Sequence, residues 1–320
     1  MSNDNDIAML MSMGFDLTQS QHALSENGGN LERSIDYLLS GGGGSVGGTI
    51  STDNNVGNAG NDSRDNSGTT TIVQSFVSQY SDPLGRSACT CIALTMAQNF
   101  LKSHTNDMNK ESAAEQRAHN VQEIIDSAFL DKSIYEGIQN YAMLGGGCTN
   151  TNSGDHSSVD ELLSKDSAAT SPLFLSMQVL ENSPRQGILD SHSSSVDLHN
   201  NPMGLSALLG QCQGGVSSSH ALSTPYIAAV ITKPPETVLV LLPLSSANLP
   251  YVLLDSHPRP NQLSPHYPHG AYGLFHPSMT SLVSSLKQIF PVTELGNDVP
   301  EMMAMMYNSF DVYPFLPKGV

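Results

Sequence analysis

Apolar residues fall into two patterned regions along the 320-residue chain, separated by a stretch that has none. In residues 1–40 the spacing is helical. Leu31, Ile35, Leu38 and Leu39 form one stripe and predict a helix over Leu31 to Leu39. Gln19 to Glu26 predicts a second helix with Thr18 as its N-cap, and Asp6 to Met11 a short first one. Gly28-Gly29-Asn30, residues that tolerate positive φ, separate two of these helices, and Met13-Gly14-Phe15 forms a tight loop. The expectation is a small all-α three-helix bundle over residues 1–40. Residues 41–70 are dominated by Gly, Ser, Asn and Asp with no apolar period. They predict a flexible linker with a root-mean-square span of roughly 30 Å.

Residues 71–320 carry denser patterning and predict one larger domain. Asp82-Pro83-Leu84-Gly85 is turn chemistry, and a helix begins near Ser87 to Cys89. Two adjacent stripes of that helix are apolar, Ile92/Met96/Phe100 and Ala93/Ala97/Leu101, so it should be deeply packed. Further helices are expected over Ala113 to Phe129 and Ser133 to Met143, then a long loop with a short helix near Val159 to Ser164. Leu173 to Leu180 reads as a strand and Asp190 to Pro202 as a surface loop. Tyr226 to Thr232 and Thr237 to Leu242 are continuous apolar runs joined at Lys233-Pro234-Pro235-Glu236, a hairpin. The strand Tyr251 to Leu254 follows, then a Pro- and His-rich loop, a short strand and a helix over Ser281 to Phe290. Met302, Met303, Met305 and Met306 read as core or edge packing. Three successive strands predict an antiparallel sheet, and the class is α+β.

Composition narrows the partners. Thirty acidic residues against 13 basic give a net charge of −17, which argues against nucleic acid and anionic membrane and suits a basic partner or tail. No apolar run approaches the ~20 residues of a spanning helix. The N-terminus shows no secretory signal. Four cysteines (Cys89, Cys91, Cys148, Cys212) are too sparse for a disulfide scaffold, so a reducing compartment, cytoplasmic or nuclear, is expected. No cysteine pair has zinc spacing, and His266, His269 and His276 lack acidic or Cys partners at ligand spacing. His192 and His199 read as solvated loop residues. Neither metal nor cofactor is expected.

The chemistry concentrates in two places. The strand ending at Leu254 delivers Asp255-Ser256-His257, and Pro258 then stops regular pairing. Side chains alternate along a strand, so Asp255 and His257 share a face, where a carboxylate can orient an imidazole and stabilise its cation. Such a pair commonly serves a nucleophile from elsewhere. Cys89, in the first turn of the predicted helix, is the candidate, because free N–H groups and the macrodipole there favour a thiolate. Cys91 is two residues on, about 200° around the helix, and stays open as an alternative.

Two resemblances sharpen this. The pattern MGF…ALSENGGNLERSIDYLLS resembles a ubiquitin-associated (UBA) domain, across all three expected helices. The resemblance implies binding of ubiquitin or polyubiquitin through Met13, Gly14, Phe15, Leu38 and Leu39. GRSACTCIAL with LLDSHPRP resembles the papain-like cysteine proteases of the herpesvirus tegument deubiquitinases and their cellular relatives. That family places its Asp two residues before its His, as Asp255 and His257 stand here. It implies Cys89 as nucleophile, His257 as general base and acid, Asp255 as orienter, and an upstream Gln at the oxyanion. Gln74 and Gln79 both qualify, with Gln74 preferred. Ala88 stands where relatives often carry a polar residue. The expectation is a thiol-dependent deubiquitinase. The alternatives are a ubiquitin-binding adaptor with an inactive protease domain, and a peptidase for another ubiquitin-like modifier.

Overall fold

The computed structural model describes residues 6–7, 10, 17–39, 70–107, 121–145, 157–180, 183–189, 203–216, 224–244, 249–259, 270–295 and 299–318. By its contacts the chain divides into two units, residues 1–67 with 259–269, and residues 68–258 with 270–320.

In the first unit two helices are defined, α1 (Leu17–Glu26) and α2 (Leu31–Leu39). Gly28 and Gly29 take φ of +63° and +80° between them, a left-handed turn that a Cβ would strain. Asn30 accepts the Arg33 N–H on its side chain, and Ser34 Oγ donates to the Ala23 carbonyl, tying α2 to α1. Leu10, Ala23 and Leu24 are buried. Thr18 lies inside α1 and not at its cap, because the helix starts one residue earlier, at Leu17. Of the expected first helix only residues 6–7 and 10 are described, all helical. The Met13-Gly14-Phe15 loop and residues 41–69 lie outside the described residues.

The second unit is built on an antiparallel eight-stranded sheet. In chain order the strands are β1 (Thr71–Gln74), β2 (Met177–Val179), β3 (Arg185–Ile188), β4 (Tyr226–Lys233), β5 (Glu236–Pro243), β6 (Tyr251–Asp255), β7 (Tyr272–His276) and β8 (Ser309–Pro317). Their spatial order is β1-β7-β6-β5-β4-β8-β2, with β3 also on β8. The expected hairpin is β4–β5, in register from Tyr226↔Pro243 to Lys233↔Glu236. Both strands are buried along nearly their whole length, which is why their sequences are continuously apolar rather than alternating.

Helix α3 (Cys89–Asp107) is the centre of the core. Both of its predicted stripes are buried, and they share one cluster with Ala228, Val230, Leu239, Leu241, Val252 and Phe315 of the sheet. On its other side packs α4 (Ser127–Met143). The two helices come close because residue 137 is glycine. A Cβ there would stand 2.6 Å from Ile92 Cα. Helices α5 (Val159–Ala168), α6 (Leu205–Gly214) and α7 (Met279–Ile289) complete the layers, with α6 and α7 packed against sheet strands.

Several expectations change. The break between the two helices after α3 falls at Ile125–Asp126, where the Asp126 carboxylate caps the Phe129 N–H. The strand near residue 173 begins only at Met177, because the buried Asp166 accepts the Leu173 and Phe174 N–H groups and holds that segment in a turn. The methionines of the tail are neither core nor edge. They lie on α8 (Glu301–Tyr307), with Met302 75% exposed. Gly137→Ala is expected to force α3 and α4 apart and cost about 1–3 kcal/mol. A denaturant melt of the full chain with an unshifted midpoint would contradict this close crossing.

Candidate active site

The sheet register places three segments together. Leu239 pairs with Leu254, and the two strands run antiparallel. Three residues further toward the hairpin turn from Leu239 is Glu236, and three residues beyond Leu254 is His257. His257 therefore comes level with the β4–β5 turn. The first residue of α3 sits on that turn, where Cys89 Sγ donates to the Pro235 carbonyl at 3.6 Å. The neighbouring hydroxyls pin the helix start, with Thr90 Oγ1 3.0 Å from Thr237 Oγ1, itself 3.1 Å from Thr232 Oγ1.

Asp255 is completely buried at the end of β6. Its Oδ1 accepts from the His257 main-chain N–H at 2.9 Å and meets His257 Nδ1 at 2.6 Å. Its Oδ2 accepts from Tyr272 Oη at 3.0 Å, and Tyr272 is its partner across β6–β7. The carboxylate thus has three donors, which is what a charge removed from water requires. With Nδ1 held by Asp255, the other nitrogen of the His257 ring is left for the Cys89 thiol, which lies within hydrogen-bonding reach. The Tyr80 ring packs edge-on against the imidazole, with centroids 6.0 Å apart.

Burial alone would lower the His257 pKa. The Asp255 charge and hydrogen bond, with a smaller contribution from Cys89, outweigh it and hold the imidazole well above its usual range. Cys91 is different. Burial, with Asp166 and Cys89 nearby, pushes its thiol up to about 12, so it stays protonated at neutral pH.

Of the two glutamines, Gln79 is the one brought to this site. It opens a short 3-10 turn (Gln79–Ser81), and it is buried. Its main-chain N–H donates to the Ser256 carbonyl at 3.1 Å, and its side-chain Oε1 accepts from Ser256 Oγ at 2.9 Å. The loop fits because residue 85 is glycine, since a Cβ there would stand 2.0 Å from the Gln79 carbonyl oxygen. Gln74 lies on β1 opposite Tyr272, with no described hydrogen bond from its side chain to Cys89 or His257. The geometry therefore places Gln79, and not the sequence-preferred Gln74, in hydrogen-bonding contact with the Asp255–His257 segment. Spacing to the cysteine could not separate the two. The Asx-Pro turn between Gln79 and Cys89, which folds the chain back, was the usable signal. Tyr272, Tyr80 and the Pro235 carbonyl had no sequence signal at all. Ala88, directly before Cys89, is fully buried.

In the first unit, Leu38 is half-buried on α2 and Leu39 ends it, while Met13, Gly14 and Phe15 lie outside the described residues. Among the described residues no three His, Cys, Asp or Glu side chains converge as a metal site. His276 hydrogen-bonds Ser281 through Nδ1 at 2.9 Å, and burial lowers its pKa to about 4. His266 and His269 lie outside the described residues, as do His192 and His199.

Residues 2–38 match the UBA/TS-N domain family, so the chain carries a UBA domain at its N-terminus. No curated protein sequence matches the chain significantly. Among solved structures, similarity is found to the ubiquitin-specific protease encoded by the murine cytomegalovirus tegument protein M48, in complex with a ubiquitin-based suicide substrate. It is 14% identical, covers 78% of this chain and 88% of that one, and has a TM-score of 0.42. A likeness at that level carries no argument about chemistry.

The raised His257 pKa has a sign. Its contribution to stability is fully present below about pH 6.5, the ordinary imidazole value, and is lost as pH rises through the raised one. Asp255→Asn is therefore expected to lower the imidazole pKa in an NMR titration. The stability gap between the variant and the wild type should be widest below pH 6.5 and narrow above the raised pKa. An unmoved imidazole titration would contradict the assignment of Asp255 as the cause.

Proposed function

We propose that the second unit is a thiol-dependent hydrolase of bonds at the ubiquitin C-terminus, a deubiquitinase, and that the UBA domain binds ubiquitin. One observation carries this reading. A thiol at a helix N-terminus lies within reach of an imidazole whose opposite nitrogen is held by a buried carboxylate. The UBA match over residues 2–38 supports the choice of ubiquitin, and the binding residues of this reading are Met13, Gly14, Phe15, Leu38 and Leu39. The net charge of −17 suits a basic substrate tail.

The roles follow from the chemistry. An imidazolium beside a thiol stabilises the thiolate. Cys89 Sγ attacks the scissile carbonyl, and the developing oxyanion takes hydrogen bonds from Gln79 Nε2 and the first-turn N–H of Cys89. His257 gives its proton to the departing amine as the C–N bond breaks. It then takes a proton from water, which attacks the thioester, releasing the carboxylate and restoring the thiol. Asp255 orients the ring and balances its charge throughout. We assign the oxyanion role to Gln79 and not to Gln74, since only Gln79 is held against the Asp255–His257 segment.

The test is turnover of ubiquitin carrying a fluorogenic C-terminal amide. Wild type should release the fluorophore. Cys89→Ala and His257→Ala should each lose about a thousandfold or more in kcat/KM while remaining folded. A folded wild-type protein that binds ubiquitin and turns over nothing would leave the adaptor reading in its place. Undiminished turnover by Cys89→Ala would remove the assigned nucleophile.

A further inference from the structure

Ser256 lies between the two residues that form the carboxylate–imidazole pair, and the proposed chemistry gives it no part. Asp255 and His257 turn toward each other, so the residue between them presents its side chain elsewhere. Its Oγ is buried and donates to Gln79 Oε1 at 2.9 Å. Its carbonyl accepts the Gln79 main-chain N–H at 3.1 Å. Gln79 is therefore gripped at both its backbone and its side chain by one residue 177 positions away in sequence. A glutamine has three side-chain torsions and an amide whose two ends have opposite hydrogen-bonding character. With the oxygen end fixed on the serine hydroxyl, the Nε2 end must face away from it. No hydrogen bond of Nε2 to another described residue accompanies it, and under the proposed reading Nε2 is the end that serves a substrate oxygen.

We propose that Ser256 is a positioning residue that sets the orientation of the Gln79 amide, so that the Asp255-Ser256-His257 triplet orients the base and the oxyanion donor at once. Asp255 acts on His257 across one side of the strand end, and Ser256 acts on Gln79 across the other. Gln79 is bonded to Ser256 and His257 to Asp255, so both groups are tied to one three-residue segment. Without the hydroxyl, the amide rotates among several rotamers and only a fraction presents Nε2 to the reacting carbonyl. This inference rests on the proposed hydrolase reading of the site.

The experiment is steady-state turnover of the fluorogenic ubiquitin amide by the full chain, as wild type, Ser256→Ala, Ser256→Thr, Gln79→Ala and the double variant. Gln79→Ala should lose about 10²–10³-fold in kcat, the cost of one oxyanion donor. Ser256→Ala should lose roughly tenfold to a hundredfold in kcat with KM within about twofold, since it disorients that donor without removing it. Ser256→Thr, which keeps the hydroxyl, should recover most of the rate. The double variant should be no slower than Gln79→Ala beyond about twofold, because the serine has nothing left to position. The pH limbs of kcat/KM should not move in Ser256→Ala, since Cys89, His257 and Asp255 are untouched. If Ser256→Ala shifts the thermal midpoint markedly, Ser256→Cys, close in shape but a weak donor, replaces it with the same expectation. A wild-type kcat in Ser256→Ala, a loss that multiplies with that of Gln79→Ala, or a shifted pH limb would each overturn the positioning role. A folded wild type with no turnover is a separate result, which overturns the hydrolase reading and this inference with it.

Discussion

A carboxylate without access to water is the constraint on which the second unit turns. Removing such a charge from water costs several kcal/mol, recovered only when its lone pairs are filled by well-placed donors. Asp255 receives three, the His257 main-chain N–H, His257 Nδ1 and Tyr272 Oη. The first two fold the chain after β6 back onto its own last residue, so the imidazole has one ring orientation. The third comes from the neighbouring strand and ties that orientation to the sheet. Burial alone would push the imidazole toward its neutral form, and the Asp255 charge and hydrogen bond are what raise its pKa instead.

The fold brings the thiol to the ring by packing rather than by any local sequence feature. Helix α3 is held between the sheet and α4, and it approaches α4 closely at Gly137. Its first residue then meets the β4–β5 turn, and the β5–β6 register brings His257 to the same level. The loop before the helix is folded onto the site by Asp82, which caps the turn at the Leu84 N–H, and by Gly85, which lets the Gln79 carbonyl approach. Four parts of the chain, at residues 79, 89, 235 and 257, meet through close backbone approaches. Side-chain volume at either glycine would open them.

How much of this was legible depended on whether the signal was local. The Asp255–His257 contact was, because two residues on one strand end need no tertiary information. So were the start of the helix at Cys89 and the β4–β5 hairpin, whose turn lies between two continuous apolar runs. Which of Gln74 and Gln79 bonds the Asp255–His257 segment was not, because that contact is made to Ser256, far along the chain. Strand β8 was missed, although it lies between β4 and β2. Pro314 and Pro317 have no N–H to donate to a ladder, yet Pro314 sits opposite Ala229 within it. Helix α6 was also missed, although Leu205, Leu208, Leu209 and Cys212 have helical spacing and are all buried.

The central claim is that Cys89, and not Cys91, is a nucleophile assembled with His257 and Asp255 for the ubiquitin C-terminus. Intact-mass analysis after incubation with ubiquitin carrying a C-terminal electrophile tests it most directly, on wild type, Cys89→Ala and Cys91→Ala. The account predicts a one-to-one adduct on wild type and Cys91→Ala and none on Cys89→Ala. An adduct that persists in Cys89→Ala, or a folded wild type that forms none, would contradict it.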